Sequence, residues 1–109
     1  MFKCTVCGYI FDGDEAPKAC PKCGAPKEKF ERMADDKAQL VEKSRFSNGL
    51  HMQLINIFEE VISIADEGIQ DALDPNCVKI FERAQNDAME LVQSMKAELA
   101  GHMMKGKWG

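Results

Sequence analysis

No run of apolar residues in this chain approaches the roughly 20 needed to cross a bilayer as a helix, so a membrane span is not expected. An excess of basic charge is missing too. Fourteen Lys and Arg face 18 Asp and Glu among 109 residues, a formal net charge of −4. An acidic chain without a basic stripe is a poor nucleic-acid binder, and no such partner is expected. There is no internal repeat and no low-complexity segment. Histidine is limited to His51 and His102, and only one of the four prolines, Pro75, lies beyond residue 33. Cys4 follows Met1 so soon that no export leader fits ahead of it. The expected compartment is therefore the cytoplasm, where thiols persist and disulfides are rare.

Cysteine, by contrast, is concentrated. Four of the five cysteines form two matched pairs, Cys4-Thr5-Val6-Cys7-Gly8 and Cys20-Pro21-Lys22-Cys23-Gly24. Two intervening residues let both thiolates of a pair face one point, and the following glycine can take the positive φ that a tight knuckle requires. Two such knuckles supply four sulfurs in a tetrahedron. In a reducing compartment this pattern reads as a metal site rather than a disulfide framework. Zinc and iron both accept four thiolates, so the ligands alone leave the metal open.

The residues around the ligands are more specific. Phe2 stands two before the first cysteine. Cys4-Thr5-Val6-Cys7-Gly8-Tyr9 follows, then Gly13 and Pro17 in the loop. Cys20-Pro21-Lys22-Cys23-Gly24-Ala25 closes the motif, with Lys29 and Phe30 just beyond. This run resembles the short rubredoxin-like domain of rubrerythrins. The knuckle spacing is the short, rubrerythrin-type one. One departure is Phe2, where that family usually has Trp. The resemblance covers about the first third of the chain. It implies a single iron held by Cys4, Cys7, Cys20 and Cys23 and cycling between ferrous and ferric states. Phe2, Tyr9, Phe11 and Phe30 are the expected miniature core over the metal, since so short a domain has little else to bury.

Composition changes after residue 33. Residues 1–33 carry six Lys and Arg against five Asp and Glu, while residues 34–109 carry eight against thirteen. The second part is rich in Ala, Leu, Ile, Glu, Gln, Lys and Met, which favour helix. Ser47-Asn48-Gly49 reads as a helix break or start, and Asp74-Pro75 as an N-cap followed by proline at the first helical position. The expected organisation is a metal-knuckle domain at 1–33, a helical linker at 34–48, a helical hairpin at 49–104 and a tail at 105–109. The fold class is thus a rubredoxin-like knuckle with minimal β-structure followed by an all-α antiparallel hairpin. Leu50, Leu54, Ile57, Phe58, Val61, Ile62, Ile64 and Ala65 give the first long helix an apolar face too wide for one partner helix to cover. A homodimer that joins two hairpins into a four-helix bundle is the expected remedy.

Rubrerythrin-like knuckles beside helices raise the question of a di-iron carboxylate centre, which needs Glu-x-x-His on two helices. No Glu-x-x-His occurs here; His102 follows Glu98 by four residues. A second centre, if the bundle holds one, would use His51 and His102 as ligands to a metal or haem. His51 lies 23 residues before Asp74 and His102 lies 28 after it, so at ~1.5 Å per residue their axial offset is about 7–8 Å. Cys77, the odd cysteine, falls at the start of the second helix on its apolar side, as a buried thiol would. The expected function is non-enzymatic one-electron transfer with an unidentified redox partner protein. A structural zinc ribbon with a helical adaptor is the competing reading, and a redox component with a second cofactor between hairpins is the third.

Overall fold

In the computed structural model of the chain, residues 1–109 are all described, and they divide into two compact units. The first comprises Met1–Arg45 together with Gly106–Gly109. It begins with β1 (Phe2–Cys4), β2 (Ile10–Phe11) and β3 (Phe30–Arg32), in the sheet order β2-β1-β3. Both pairings are antiparallel, and Phe2 stands opposite Phe11 on one side and Arg32 on the other. Alternation along β1 turns Phe2 and Cys4 to one face and Lys3 to solvent. Cys4 pairs with Phe30, which places the first sulfur beside an aromatic ring. Cys4, Cys20 and Phe30 form the core, with Phe2, Tyr9 and Phe11 packed against it. The four aromatics expected over the metal are therefore gathered there.

The long helix α1 (Asp35–Asp71) starts with Asp35 and Asp36 in its first turn, where negative charge suits the helix dipole. Its opening turns belong to the first unit. Val41 is buried there, and Ser44 donates its hydroxyl to the Val41 carbonyl at 2.8 Å. Gly106–Gly109, which lacked any pattern in the sequence, packs in this unit. A side chain at Gly109 would collide with Ile10 and Val41. Arg45 ties the unit together: Nε donates to the Gly109 carbonyl at 2.8 Å, and its guanidinium meets Asp12 at 2.9 Å and Glu42 at 3.0 Å.

The second unit is Phe46–Lys105, formed by the remainder of α1 and by α2 (Pro75–Met104). Asp74 caps α2 as expected, accepting from the Cys77 backbone N–H at 2.8 Å, with Pro75 in the first turn. The turn is so short that Ala72 adopts φ 51°, a left-handed conformation usually left to glycine. The helices are antiparallel: Gly68 meets Phe81 beside the turn, while Asn48 meets His102 at the far end. Ala65, Ala88, Val92, Met95 and Leu99 are buried along the seam.

One expectation needs correction. α1 passes through Ser47-Asn48-Gly49 without a break, so no separate linker helix ends there. Asn48 is buried and its side-chain oxygen is engaged by His102 rather than by a backbone N–H at a helix start. A tertiary partner has taken the capping residue, and local propensity yields to it. The chain itself supplies two long helices, and neither is long and apolar enough to cross a membrane.

Candidate metal centre

The two knuckles repeat one backbone design. Gly8 N–H donates to the Cys4 carbonyl at 2.9 Å and Gly24 N–H to the Cys20 carbonyl at 2.8 Å. Cys4 N–H reaches the Tyr9 carbonyl and Cys20 N–H the Ala25 carbonyl, both at 2.8 Å. Gly8 and Gly24 have φ of 77° and 75°. A Cβ at either would meet nothing within 4 Å, so the need for glycine is conformational and not a matter of space. Thr5 fastens the first knuckle by donating both its N–H and its hydroxyl to the Lys29 carbonyl.

These turns bring Cys4, Cys7, Cys20 and Cys23 together, with all four Sγ atoms within 4.8 Å of one another. Cys4 and Cys23 Sγ are 3.8 Å apart, and Cys7 and Cys20 Sγ are 3.6 Å apart. A tetrahedron with metal–sulfur bonds of ~2.3 Å has edges of about 3.8 Å. The set therefore fits one metal ion, and all five cysteines of the chain are free thiols. The first cysteine of each knuckle is buried, Cys7 is half-buried and Cys23 is exposed, so one edge of the sulfur cluster reaches the surface.

The electrostatics suit a cation. Burial pushes the Cys20 thiol up, but N–H groups of Cys23 and Lys22 aimed at its sulfur outweigh this and bring it down to about 7. Cys4 is lowered in the same way: burial opposes ionisation, and the N–H groups of Cys7 and Val6 favour it more strongly. For Cys23 the Ala25 N–H favours the thiolate, yet burial and the neighbouring Cys7, Cys20 and Cys4 sulfurs push it up to about 12. Four thiolates this close repel one another, and a shared cation removes that conflict.

Comparison with known proteins agrees with this geometry. Residues 2–31 match the family model described as "Rubrerythrin, rubredoxin-like domain". This segment is a rubrerythrin-type rubredoxin-like domain. The chain is 57% identical over 35 residues to reverse rubrerythrin-1 of Clostridium acetobutylicum, covering 32% of this chain and 19% of that protein. It is 49% identical over 36 residues to rubrerythrin-1 of the same organism, covering 33% of this chain and 18% of that protein. The chain thus spans about a fifth of the length of the curated relatives it matches. The family match stops short of the helices, and no solved structure matches the chain.

The other sequence-derived candidates lie in the helical unit. His51 and His102 are brought together, with ring centroids 6.4 Å apart and planes at 70°. Two neighbours escaped the sequence reading. Asn48 Oδ1 lies 2.6 Å from His102 Nδ1, and Glu98 Oε1 lies 3.0 Å from His102 Nε2. The Glu98–His102 spacing of four residues was the visible signal for the second contact. Nothing local announced the first, because it crosses from α1 to α2. Cys77 is half-buried in the first turn of α2.

Proposed function

We propose that the protein is a one-electron carrier. Its rubredoxin-like domain would hold one iron through Cys4, Cys7, Cys20 and Cys23, and its helical hairpin would serve as a dimerisation module. The observation that carries this reading is the pair of matched knuckles, whose four sulfurs have the spacing of a tetrahedral metal site. Iron in such a site supplies one-electron chemistry between its ferrous and ferric states. Four protein thiolates fill the tetrahedron and leave no position for a substrate. The knuckle turns hold the sulfurs in one arrangement, which keeps reorganisation on electron transfer small. The N–H groups of Val6, Cys7, Lys22 and Cys23 stabilise sulfur charge and tune the potential. Cys23, on the exposed edge, offers a redox partner protein a short approach to the centre. Thiolate ligands of this kind persist in a reducing compartment such as the cytoplasm.

The dimer rests on a second apolar stripe. Leu50, Leu54, Ile57, Val61 and Ile64 recur at alternating four- and three-residue spacing along α1. They lie beside the seam that α1 turns toward α2. Ile57 is 54% exposed and Ile64 is 62% exposed, although both belong to a continuous apolar line. Ile80 and Leu91 of α2 are exposed as well. A second copy of the hairpin would cover this face and complete a four-helix bundle. Ile57→Glu would place a charge in that interface, and the variant is expected to sediment as a monomer. A wild-type chain that is monomeric at micromolar concentration would remove the dimer from this reading.

Metal content and colour test the carrier function. Protein purified anaerobically from its native host should hold about one iron per chain. Its ferric form should absorb in the visible and bleach on reduction. Stoichiometric zinc that never gives way to iron would leave a structural zinc ribbon with a helical adaptor as the function.

A further inference from the structure

Within the helical unit, one histidine is held between two oxygen atoms. The side chain of His102 is 12% exposed and sits between two acceptors. Its Nδ1 is 2.6 Å from Asn48 Oδ1, and Asn48 is itself 4% exposed. Its Nε2 is 3.0 Å from a Glu98 carboxylate oxygen. A neutral imidazole carries a single N–H. With that hydrogen given to Asn48, Nε2 turns a lone pair toward a carboxylate. A metal ion seated between Nε2 and the carboxylate would serve both lone pairs at once.

His51 adds a second signal. Its Nδ1 is buried and has no hydrogen-bond partner. Nearly all buried polar atoms are satisfied, and an exception calls for a missing group. His51 and His102 are neighbours across the hairpin, at 6.4 Å between ring centroids. Glu98 and His102 share one face of α2, one turn apart.

We propose that His102, Glu98 and His51 bind a divalent transition-metal ion between α1 and α2. Tetrahedral metal bonds of ~2.0–2.2 Å to nitrogen and oxygen put neighbouring ligand atoms about 3.3–3.6 Å apart. His102 Nε2 and Glu98 Oε1 are 3.0 Å apart, so the flexible Glu98 side chain must draw back by about a few tenths of an ångström to admit the ion. Asn48 is the positioning residue. By taking the Nδ1 hydrogen it directs the Nε2 lone pair at the ion, the usual role of a hydrogen-bond partner behind a histidine ligand. At the same bond lengths two imidazoles on one ion have centroids about 5 Å apart, so His51 must swing inward by roughly an ångström to complete the site. Two imidazoles and a carboxylate favour zinc, copper, nickel or cobalt over calcium or magnesium. The four cysteines take no part, so this site stands or falls independently of the electron-carrier reading.

The test uses the full chain with its cysteines first saturated by one equivalent of Zn²⁺. A second equivalent is then added and followed by calorimetry and by nitrogen NMR of the histidine rings. The expected result is a second zinc per chain, a shift of His102 Nε2, and retention of hydrogen on Nδ1. His102→Gln and His51→Gln should abolish or weaken the second event while leaving the first unchanged. Asn48→Ala should weaken the second event about 10–100-fold. Retained helix signal and retained cysteine-bound zinc show that a variant is folded, and His51→Gln gives an independent reading should His102→Gln unfold. The proposal is overturned if only one zinc binds, if second-site uptake is unchanged in both histidine variants, or if His102 keeps a hydrogen on Nε2 throughout the titration.

Discussion

The two units of this chain are organised by different forces. Around the sulfur cluster the core is Cys4, Cys20 and Phe30, with a few half-buried rings beside it. In the helical unit Ala65, Ala88, Val92, Met95 and Leu99 line a seam that runs much of the hairpin. A core as small as the first cannot offset the entropy of ordering some thirty residues. Metal–sulfur bonds must make up the difference. The helical seam needs no such help in principle, since hydrophobic burial there is spread along two helices. The contrast also separates specificity from stability. The knuckle depends on a few residues whose identity cannot change, while the seam depends on many of moderate importance.

The largest expected break of this contrast is metal removal. Cys20→Ser, or a strong chelator, should unfold the rubredoxin-like domain while the helices persist, because the few apolar residues there cannot replace the lost bonds. NMR would show resonances of residues 2–31 collapsing as far-UV dichroism stays largely helical. Equal loss in both units would mean that the metal also organises the hairpin. A cavity in the seam should do the reverse. Leu99→Ala removes a buried side chain and is expected to cost the hairpin about 2–5 kcal/mol in denaturant unfolding, with the visible spectrum of the iron-loaded centre unchanged.

A smaller effect tests close approach within the hairpin. A Cβ at Gly68 would stand 2.5 Å from three atoms of the Phe81 ring. Overpacking costs about 1–3 kcal/mol, against a gain of roughly 1 kcal/mol in helix propensity on replacing glycine. Gly68→Ala should therefore lower stability by about 1 kcal/mol, measurable as a reduced urea midpoint. The smallest effect has the opposite sign. Ala72 carries φ 51° at the hairpin turn. Ala72→Gly relieves that conformation but adds freedom to the unfolded chain, so a gain of at most ~1 kcal/mol is expected. A loss of stability at this site would show that the Ala72 methyl contributes packing that outweighs its backbone conformation.

How legible each feature was follows from the distance along the chain over which it is encoded. The knuckles were readable because ligand spacing and the glycine requirement act within five residues. Asp74-Pro75 was readable for the same reason, and its cap is present. Ser47-Asn48-Gly49 carried a similar local signal and misled, because Asn48 has a partner 54 residues away in His102. The Arg45–Asp12 pair and the burial of Gly109 against Ile10 and Val41 were invisible for the same reason. Gly68 likewise carries no local sign of the Phe81 ring packed against it.

The sequence by itself determined the four-sulfur site, the helical character of residues beyond the knuckles and the place where the hairpin turns. Each follows from short-range stereochemistry: two-residue spacing between thiolates, positive φ at glycine, a side-chain cap before proline, and the period of apolar residues. Only the tertiary structure decided that α1 is continuous, that Gly106–Gly109 packs with the knuckle unit, and that His102 sits between Asn48 and Glu98. Those outcomes depend on contacts between residues far apart in the chain. Burial strengthens such contacts enough to override local preference, and propensity or spacing carries no record of them.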